Sequence, residues 1–295
     1  MSLKRALTAA VAAAVLLGAA AGCATIPRDK SAADWLHVLP AGSSYYLCLN
    51  TARTRDLAKA ALKKTPYYSN DVGQLLNFTD QVYCGVKTGA GKPSFSLVML
   101  GGYPTMLKSI LDKSAEWEEI KGEYPYWRHR KFGLQAALPE EYMVLIAQDN
   151  VEGLIASERA GGAFDLSRDA REQIRQNDIT ILFPLGLDDI VSGDLGVALP
   201  RRIFEEIWIG ARLRGGAYHF SGVFRVGPDV DPASFKKLLQ FFFLALLRRN
   251  EVADAGKRLA DMTFSVEGRM ISVSGFTLTE AEVKTLLATM LAKGL

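Results

Sequence analysis

The chain has 295 residues, of which 49% are hydrophobic and 23% are charged, so it is long enough for one large domain or two domains of ordinary size. Its formal net charge is +3, and Lys4 and Arg5 near the N-terminus supply two of those charges. The remainder is close to neutral and lacks the basic excess typical of nucleic-acid-binding proteins. We therefore expect no nucleic-acid partner.

The first 22 residues have the layout of a secretory signal. Lys4 and Arg5 precede an apolar stretch from Ala6 to Leu17, and small residues continue up to Cys23. The apolar stretch is shorter than the roughly 20 residues that a transmembrane helix needs. The pattern therefore predicts a cleaved signal peptide rather than a membrane span.

The end of this segment, Ala20-Ala21-Gly22-Cys23, resembles the lipobox of bacterial lipoproteins, with Ala20 where that motif usually has Leu. The resemblance implies removal of residues 1–22, acylation of Cys23 and a tether over 23–34. The lipid would be the contact with the cell membrane or outer membrane, and the body would face the periplasm or cell surface. The alternative is simple secretion, with an ordinary cleavage site that happens to precede a cysteine.

The first half of the exported body alternates between strand-like and helix-like patterns. Turns rich in glycine and proline separate runs of β-branched and aromatic residues, and the helices show apolar positions three or four residues apart. In chain order we predict a turn at Leu39–Gly42, strand Tyr45–Leu49, helix Thr51–Lys64, hairpin strands Gln81–Lys87 and Ser94–Leu100, a helix from Pro104 through Leu111, strands near Trp127–Leu138 and Tyr142–Gln148, and a helix capped by Asn150.

The second half follows a similar order. We predict strand Asp178–Phe183, a short helix Arg201–Glu206, hairpin strands Ile207–Leu213 and Ala217–Val226, a helix from Pro232 to about Arg249, hairpin strands Thr263–Glu267 and Met270–Thr277, and a last helix capped by Thr279. Glu282 stands three residues after Thr279, which is the spacing of a capping box.

The two halves align with each other. Pro104–Leu111 matches Pro232–Leu239 at an offset of 128 residues, with the Pro, the Lys and the closing Leu in common. The predicted fold class is α+β, with an internal duplication into similar halves, 35–165 and 166–295. We expect each half to form a mostly antiparallel sheet covered on one face by helices. The Leu-Pro-Ala turn into a strand resembles uncharacterised exported bacterial proteins, which implies no particular activity.

Motifs for catalysis or cofactor binding are weak in this chain. Gly89-Ala90-Gly91-Lys92 lacks the first glycine and the Ser or Thr of a phosphate-binding loop, and no serine-hydrolase elbow is found. His37, His129 and His219 lack the close spacing of ligands on one helix. We expect no metal site, no cofactor and no catalytic residue recognisable from sequence.

Cys48 and Cys84 both lie in strand-like runs. If Cys23 carries lipid, these are the remaining thiols, and in an oxidising compartment they could form a disulfide. The interpretation that we favour is two free, buried thiols that pack as small apolar side chains.

Two aromatic segments are candidates for contact with a ligand or partner. Tyr126-Trp127-Arg128 would suit stacking and cation–π contacts, although the alternation of a strand explains the same pattern. Phe241-Phe242-Phe243 belongs to an apolar run, 238–247, bracketed by basic residues. Such a helix is either buried on several sides or leaves one apolar face exposed; we favour the buried interpretation.

These observations support three functional hypotheses. The first is a membrane-anchored envelope lipoprotein whose body is a non-catalytic binding or structural module, with an unknown protein or lipid partner. The second is a carrier or chaperone for a lipid or a lipoprotein that uses the apolar 238–247 helix. The third is an envelope hydrolase whose site is assembled from residues that are distant in sequence.

Overall fold

The structure is a computed structural model. It describes residues 32–63, 70–87, 94–103, 107–162, 164, 166–184, 203–249, 252 and 254–285. The predicted signal peptide, Cys23 and most of the predicted tether lie outside the described residues. The last residues assigned to the tether belong instead to a 3-10 helix, Ala32–Val38, whose Trp35 and Leu36 side chains are fully buried.

Twelve described strands form one continuous antiparallel sheet. In chain order they are β1 Tyr45–Asn50, β2 Thr79–Lys87, β3 Ser94–Gly101, β4 Trp117–Ile120, β5 Tyr126–His129, β6 Gln135–Glu140, β7 Met143–Ala147, β8 Ile179–Phe183, β9 Phe204–Arg214, β10 Ala217–Val226, β11 Thr263–Glu267 and β12 Met270–Thr279. Their spatial order is β11-β12-β10-β9-β8-β1-β2-β3-β7-β6-β5-β4. The α+β class is confirmed. However, the predicted separate sheets are wrong, because β1 pairs with β8 and joins the halves.

Helices cover both faces of this sheet, which corrects the expectation of one covered face. The described α-helices are α1 Thr51–Leu62, α2 Asn70–Leu75, α3 Leu107–Lys113, α4 Val151–Ala160, α5 Arg168–Gln176, α6 Pro232–Arg249 and α7 Ala255–Asp261, and residues 280–285 are also helical. Face A packs against the 3-10 helix, α4 and α5. Face B packs against α1, α6 and α7.

Strand alternation explains why both faces are apolar. Val82 and Tyr83 are consecutive and both buried, and Val98 and Met99 repeat the pattern on the next strand. Because successive side chains point to opposite faces, a run that is apolar at every position requires cover on both sides. Tyr83 and Val98 accordingly belong to the face A core, and Val82 and Met99 to the face B core.

Local signals placed several helix ends correctly. Asn150 Oδ1 accepts a hydrogen bond from the Gly153 amide at 2.9 Å, which caps α4. The capping box is formed as predicted: Thr279 N donates to Glu282 Oε2 at 2.7 Å, and Glu282 N donates to Thr279 Oγ1 at 3.2 Å.

Other elements were wrong or missed. Phe204 to Glu206 belong to β9 rather than to a helix, because they continue the ladder with β10. The run predicted near Trp127–Leu138 is two strands, β5 and β6, with a turn at Gly133, whose φ of 68° favours glycine. The elements α2, β4, α5 and α7 were not predicted from the sequence.

The core does not divide at residue 165. Ala170 and Ile174 of α5 and Trp208 of β9 pack in one cluster with Trp35 and Tyr46. Residues on both sides of the predicted domain boundary therefore share a single hydrophobic core.

A buried carboxylate holds the two halves together beside the β1–β8 pair. Asp178 is 1% exposed; its Oδ1 accepts from Arg53 Nη1 at 3.1 Å and its Oδ2 accepts from Leu213 N at 2.7 Å. The Asp178 backbone carbonyl accepts from Asn50 N at 2.8 Å. One residue thus links α1, β1 and β9.

Candidate functional site

The apolar helix α6 presents different residues to its two sides. Toward face B, Leu239 and Leu247 are buried. The Phe243 ring makes edge contacts with Phe224 and Phe264, with centroid separations of 6.1 and 6.0 Å. This inner side is core, but the favoured interpretation of a helix buried on several sides is wrong, because Phe241 and Leu238 on the other side are exposed.

The outer side of α6 is exposed in the described structure. Phe241 is 68% exposed and Leu238, one helical turn earlier, is 45% exposed. Exposed Lys237 and Arg248 lie on the same helix. We call Leu238 and Phe241 the outer face of α6. The Phe242 side chain lies outside the described residues.

The segment Tyr126-Trp127-Arg128 does not form an open aromatic platform, which corrects that candidate. Tyr126 and Trp127 alternate on β5 and are both buried, on opposite faces of the sheet. Trp127 Nε1 donates to Asp112 Oδ1 at 3.0 Å, and Arg128 Nη2 donates to the Tyr126 hydroxyl at 3.1 Å. Both rings are therefore occupied in internal packing.

Cys48 and Cys84 are free thiols, so the disulfide alternative is wrong. Cys48 stands opposite Tyr83 in the β1–β2 ladder, and Cys84 stands opposite Leu47. Directly opposite residues share a face, so the two thiols point to opposite faces of the sheet. Burial raises the pKa of both thiols, that of Cys84 to about 12, which disfavours the reactive thiolate.

A cleft of about 360 Å³ opens on face A, between α4 and the ends of β2 and β3. Its floor consists of the small residues Gly85, Ser94 and Ser96, whereas large side chains fill the same face farther along, at Tyr83 and Val98. Small residues at consecutive positions on one face therefore create the depression.

Polar and apolar groups both line the walls of this cleft. Asn150 and Ser157 line it from the α4 side, and Lys87 and Asp149 lie at exposed positions. A Cβ at Gly85 would lie 2.6 Å from Ser43 Oγ, so glycine there leaves room for that hydroxyl. These residues were not predicted as a site, because the sequence indicates the β2–β3 hairpin but nothing local indicates that β7 and α4 lie beside it.

A second cleft, of about 250 Å³, lies on face B beside the start of α1. Arg53, Arg55 and Asp56 line it from α1, and Tyr218 and Glu280 line it from the second half. Burial, with the charges of Glu280 and Asp178, raises the pKa of Tyr218 to about 12. Cations and carboxylates are mixed here, so the cleft has no clear preference for one sign of ligand charge.

The described residues contain no group of three or more His, Cys, Asp or Glu side chains arranged to hold a metal ion. Among the helices of the described ranges, none combines the length and hydropathy needed to cross a membrane.

Comparisons with known proteins identify similar folds only. No family model and no curated protein matches the chain. Crystal form III of TP0453 superposes with a TM-score of 0.64 at 13% identity, covering 86% of this chain and 97% of that chain. Crystal form I gives 0.63 at 14% identity over 86% and 96%, and form IV gives 0.61 at 15% over 87% and 96%. At these identities the likeness shows that the chain shares the fold of TP0453.

Proposed function

We propose that this chain is a lipid-anchored envelope protein whose body is a non-catalytic binding or structural module. The observation that carries the proposal is the apolar leader followed by Ala20-Ala21-Gly22-Cys23. Cleavage before Cys23 and acylation of its thiol would attach the protein to the cell membrane or outer membrane. Each buried methylene of an acyl chain contributes about 0.8 kcal/mol, so several chains on one residue give stable attachment without a spanning helix.

The position of the folded body is compatible with such an anchor. Trp35, the first described residue whose side chain is buried, follows Cys23 by twelve positions in the sequence. Even a fully extended segment of that length spans no more than roughly 40 Å. The lipid would therefore keep the body close to the membrane surface, in the periplasm or at the cell surface.

Metabolic labelling tests the anchor directly. Cells that express the full chain are fed an alkyne-bearing fatty acid, and the protein is examined for label. We expect label on the wild type and on Cys48→Ala, and none on Cys23→Ala. Equal labelling of the wild type and Cys23→Ala would refute lipidation at this residue, and an unlabelled wild type would favour simple secretion.

A second candidate function is a carrier or chaperone for a lipid or a lipoprotein. The observation in its favour is the outer face of α6, because monomeric soluble domains seldom leave large apolar side chains exposed side by side. A carrier should co-purify with an acyl ligand and lose it in Phe241→Asp. Phe132→Asp is a matched control, since Phe132 is an exposed aromatic residue of the first half. Equal ligand content in both variants would contradict the carrier role.

We further infer that the two halves descend from one duplicated unit. The order β1-β2-β3-β7-β6 outward from the centre of the sheet has the same pattern as β8-β9-β10-β12-β11. Ile110 and Leu238 occupy equivalent positions in the aligned helices and are 50% and 45% exposed. A sequence profile of relatives, aligned with itself, should give its strongest internal match near an offset of 128; no such match would contradict duplication.

A further inference from the structure

We propose that the face A cleft binds a short peptide with free termini, its ammonium group at Asp149 and its carboxylate at Lys87. The juxtaposition of these two charges across a hydroxyl-lined floor carries the inference. It goes beyond the proposed function and does not depend on lipidation of Cys23.

The strand register fixes the separation of the two charges. Lys87 pairs with Ser94 across β2 and β3, and Ser96 pairs with Ala147 across β3 and β7. Asp149 therefore follows β7 at the level of Ser94. Lys87 and Asp149 lie two interstrand spacings apart, which is about 10 Å between their backbones. An extended peptide spans about 3.3–3.6 Å per residue, so roughly three residues bridge this distance.

The groups between the two charges suit a peptide backbone. Ser94, Ser96 and Ser157 offer hydroxyls that can both donate and accept hydrogen bonds. The Asn150 carbonyl oxygen caps α4, which leaves its amide nitrogen as a donor at the cleft wall. The small floor residues allow a backbone to approach closely, and exposed Pro40 supplies apolar surface beside them.

Charge complementarity selects a peptide over a neutral sugar. Within the described part of the chain, neither Lys87 nor Asp149 forms an ion pair with another residue. A ligand that carries one positive and one negative end satisfies both groups at once. A polyhydroxylated neutral ligand would use the serines and leave both charges without partners.

Isothermal titration calorimetry of the full chain with trialanine tests the inference. We expect trialanine to bind, its N-acetylated and C-amidated forms to bind more weakly, and the doubly blocked form to bind weakest. Lys87→Gln and Asp149→Asn should each weaken trialanine binding about two- to fivefold, the range for a partly solvated ion pair. Lys87→Gln should bind trialanine and its C-amidated form equally well, and Asp149→Asn should bind trialanine and its N-acetylated form equally well.

Two further variants test the place of binding. Ser96→Leu fills the floor and Ser157→Leu narrows the α4 wall, and each should reduce affinity more than tenfold. Lys257→Gln on α7, which packs on the opposite face of the sheet, is the control and should bind as the wild type does. Circular dichroism verifies that each variant is folded.

Several results would overturn the inference. These are no heat of binding at millimolar trialanine, equal affinity for the doubly blocked peptide, tighter binding of glucose than of trialanine, or unchanged affinity in both leucine variants. Failure here is separable from failure of the anchor, since Cys23→Ala should abolish fatty-acid label and leave peptide affinity unchanged.

Discussion

Replacing Asp178 with alanine should destabilise the protein by about 2–3 kcal/mol. The substitution removes the acceptor for the Leu213 amide in a part-buried hydrogen bond, and leaving a buried donor unsatisfied costs about 1–3 kcal/mol. It also removes the partner of Arg53, but Arg53 is 58% exposed, so solvent screening limits that pair to about 1 kcal/mol or less. Loss of the acceptor for the Leu213 amide therefore dominates the predicted destabilisation.

Arg53→Ala is the matched variant for this prediction. It removes the same ion pair but leaves Asp178 Oδ2 bonded to Leu213 N, so it should cost about 1 kcal/mol or less. For a chain of this size each kcal/mol lowers the thermal midpoint by roughly 2 °C. Calorimetry should thus show a decrease of about 5 °C for Asp178→Ala and of about 2 °C or less for Arg53→Ala.

The decisive result is which of the two variants lowers the thermal midpoint more. If Arg53→Ala lowers the midpoint as much as Asp178→Ala, the ion pair contributes more than the hydrogen bond from the Leu213 amide and the argument is wrong. The double variant completes a cycle, and its coupling energy measures the ion pair alone. A coupling energy well above 1 kcal/mol would also contradict the screening assumed for Arg53.

Three further predictions concern exposure, thiols and capping. Phe241→Asp should change stability by less than about 0.5 kcal/mol because the ring is exposed. Phe243→Asp should cost about 3 kcal/mol or more because its ring packs against the core. Equal thermal midpoints of the two variants would refute this contrast. Cys48 and Cys84 should resist iodoacetamide at pH 8 until the protein unfolds. Because burial raises their pKa values, the contribution of these two thiols to stability should be constant below about pH 8.5 and fall as the pH rises above it; equal stability at pH 8 and pH 11 would contradict this. Burial opposes ionisation of Glu282, but hydrogen bonds from Thr279 and the charge of Arg258 lower its pKa overall. Glu282→Ala should therefore cost about 1 kcal/mol of stability at pH 7, and this cost should decrease as the pH falls and the carboxylate is protonated. A cost that does not change with pH would contradict the prediction.

Elements with local signals were predictable from the sequence. The hairpin of β9 and β10 turns at Arg214-Gly215-Gly216, where both glycines have positive φ. The same holds for α4, whose cap depends on Asn150 and Gly153 alone. Such contacts form between residues a few positions apart, so local chemistry is sufficient to specify them. The helices α5 and α7 were not predicted because they are short and polar. Their few apolar residues do not give a helical pattern that can be recognised without knowing the surfaces on which they pack.

The candidate sites were less predictable than the elements. The sequence marked 241–243 as apolar, yet only packing on face B separates buried Phe243 from exposed Phe241. Tyr126 and Trp127 had the composition of a ligand platform, but their rings lie on opposite faces of the sheet and both are buried. Exposure is a property of the neighbours of a residue, which composition does not specify.

The sequence by itself determined the α+β class, the hairpins and the caps, because these depend on hydrogen bonds and alternation over short stretches of chain. Only the tertiary structure decided that β1 pairs with β8, so that one sheet with a shared core replaces two. That pairing joins residues 130 or more positions apart, such as Cys48 and Thr180. Closing so long a loop costs conformational entropy, which is offset by the burial of apolar side chains on both faces of the sheet. The total buried area depends on the whole fold, so it cannot be predicted from any short segment of the sequence.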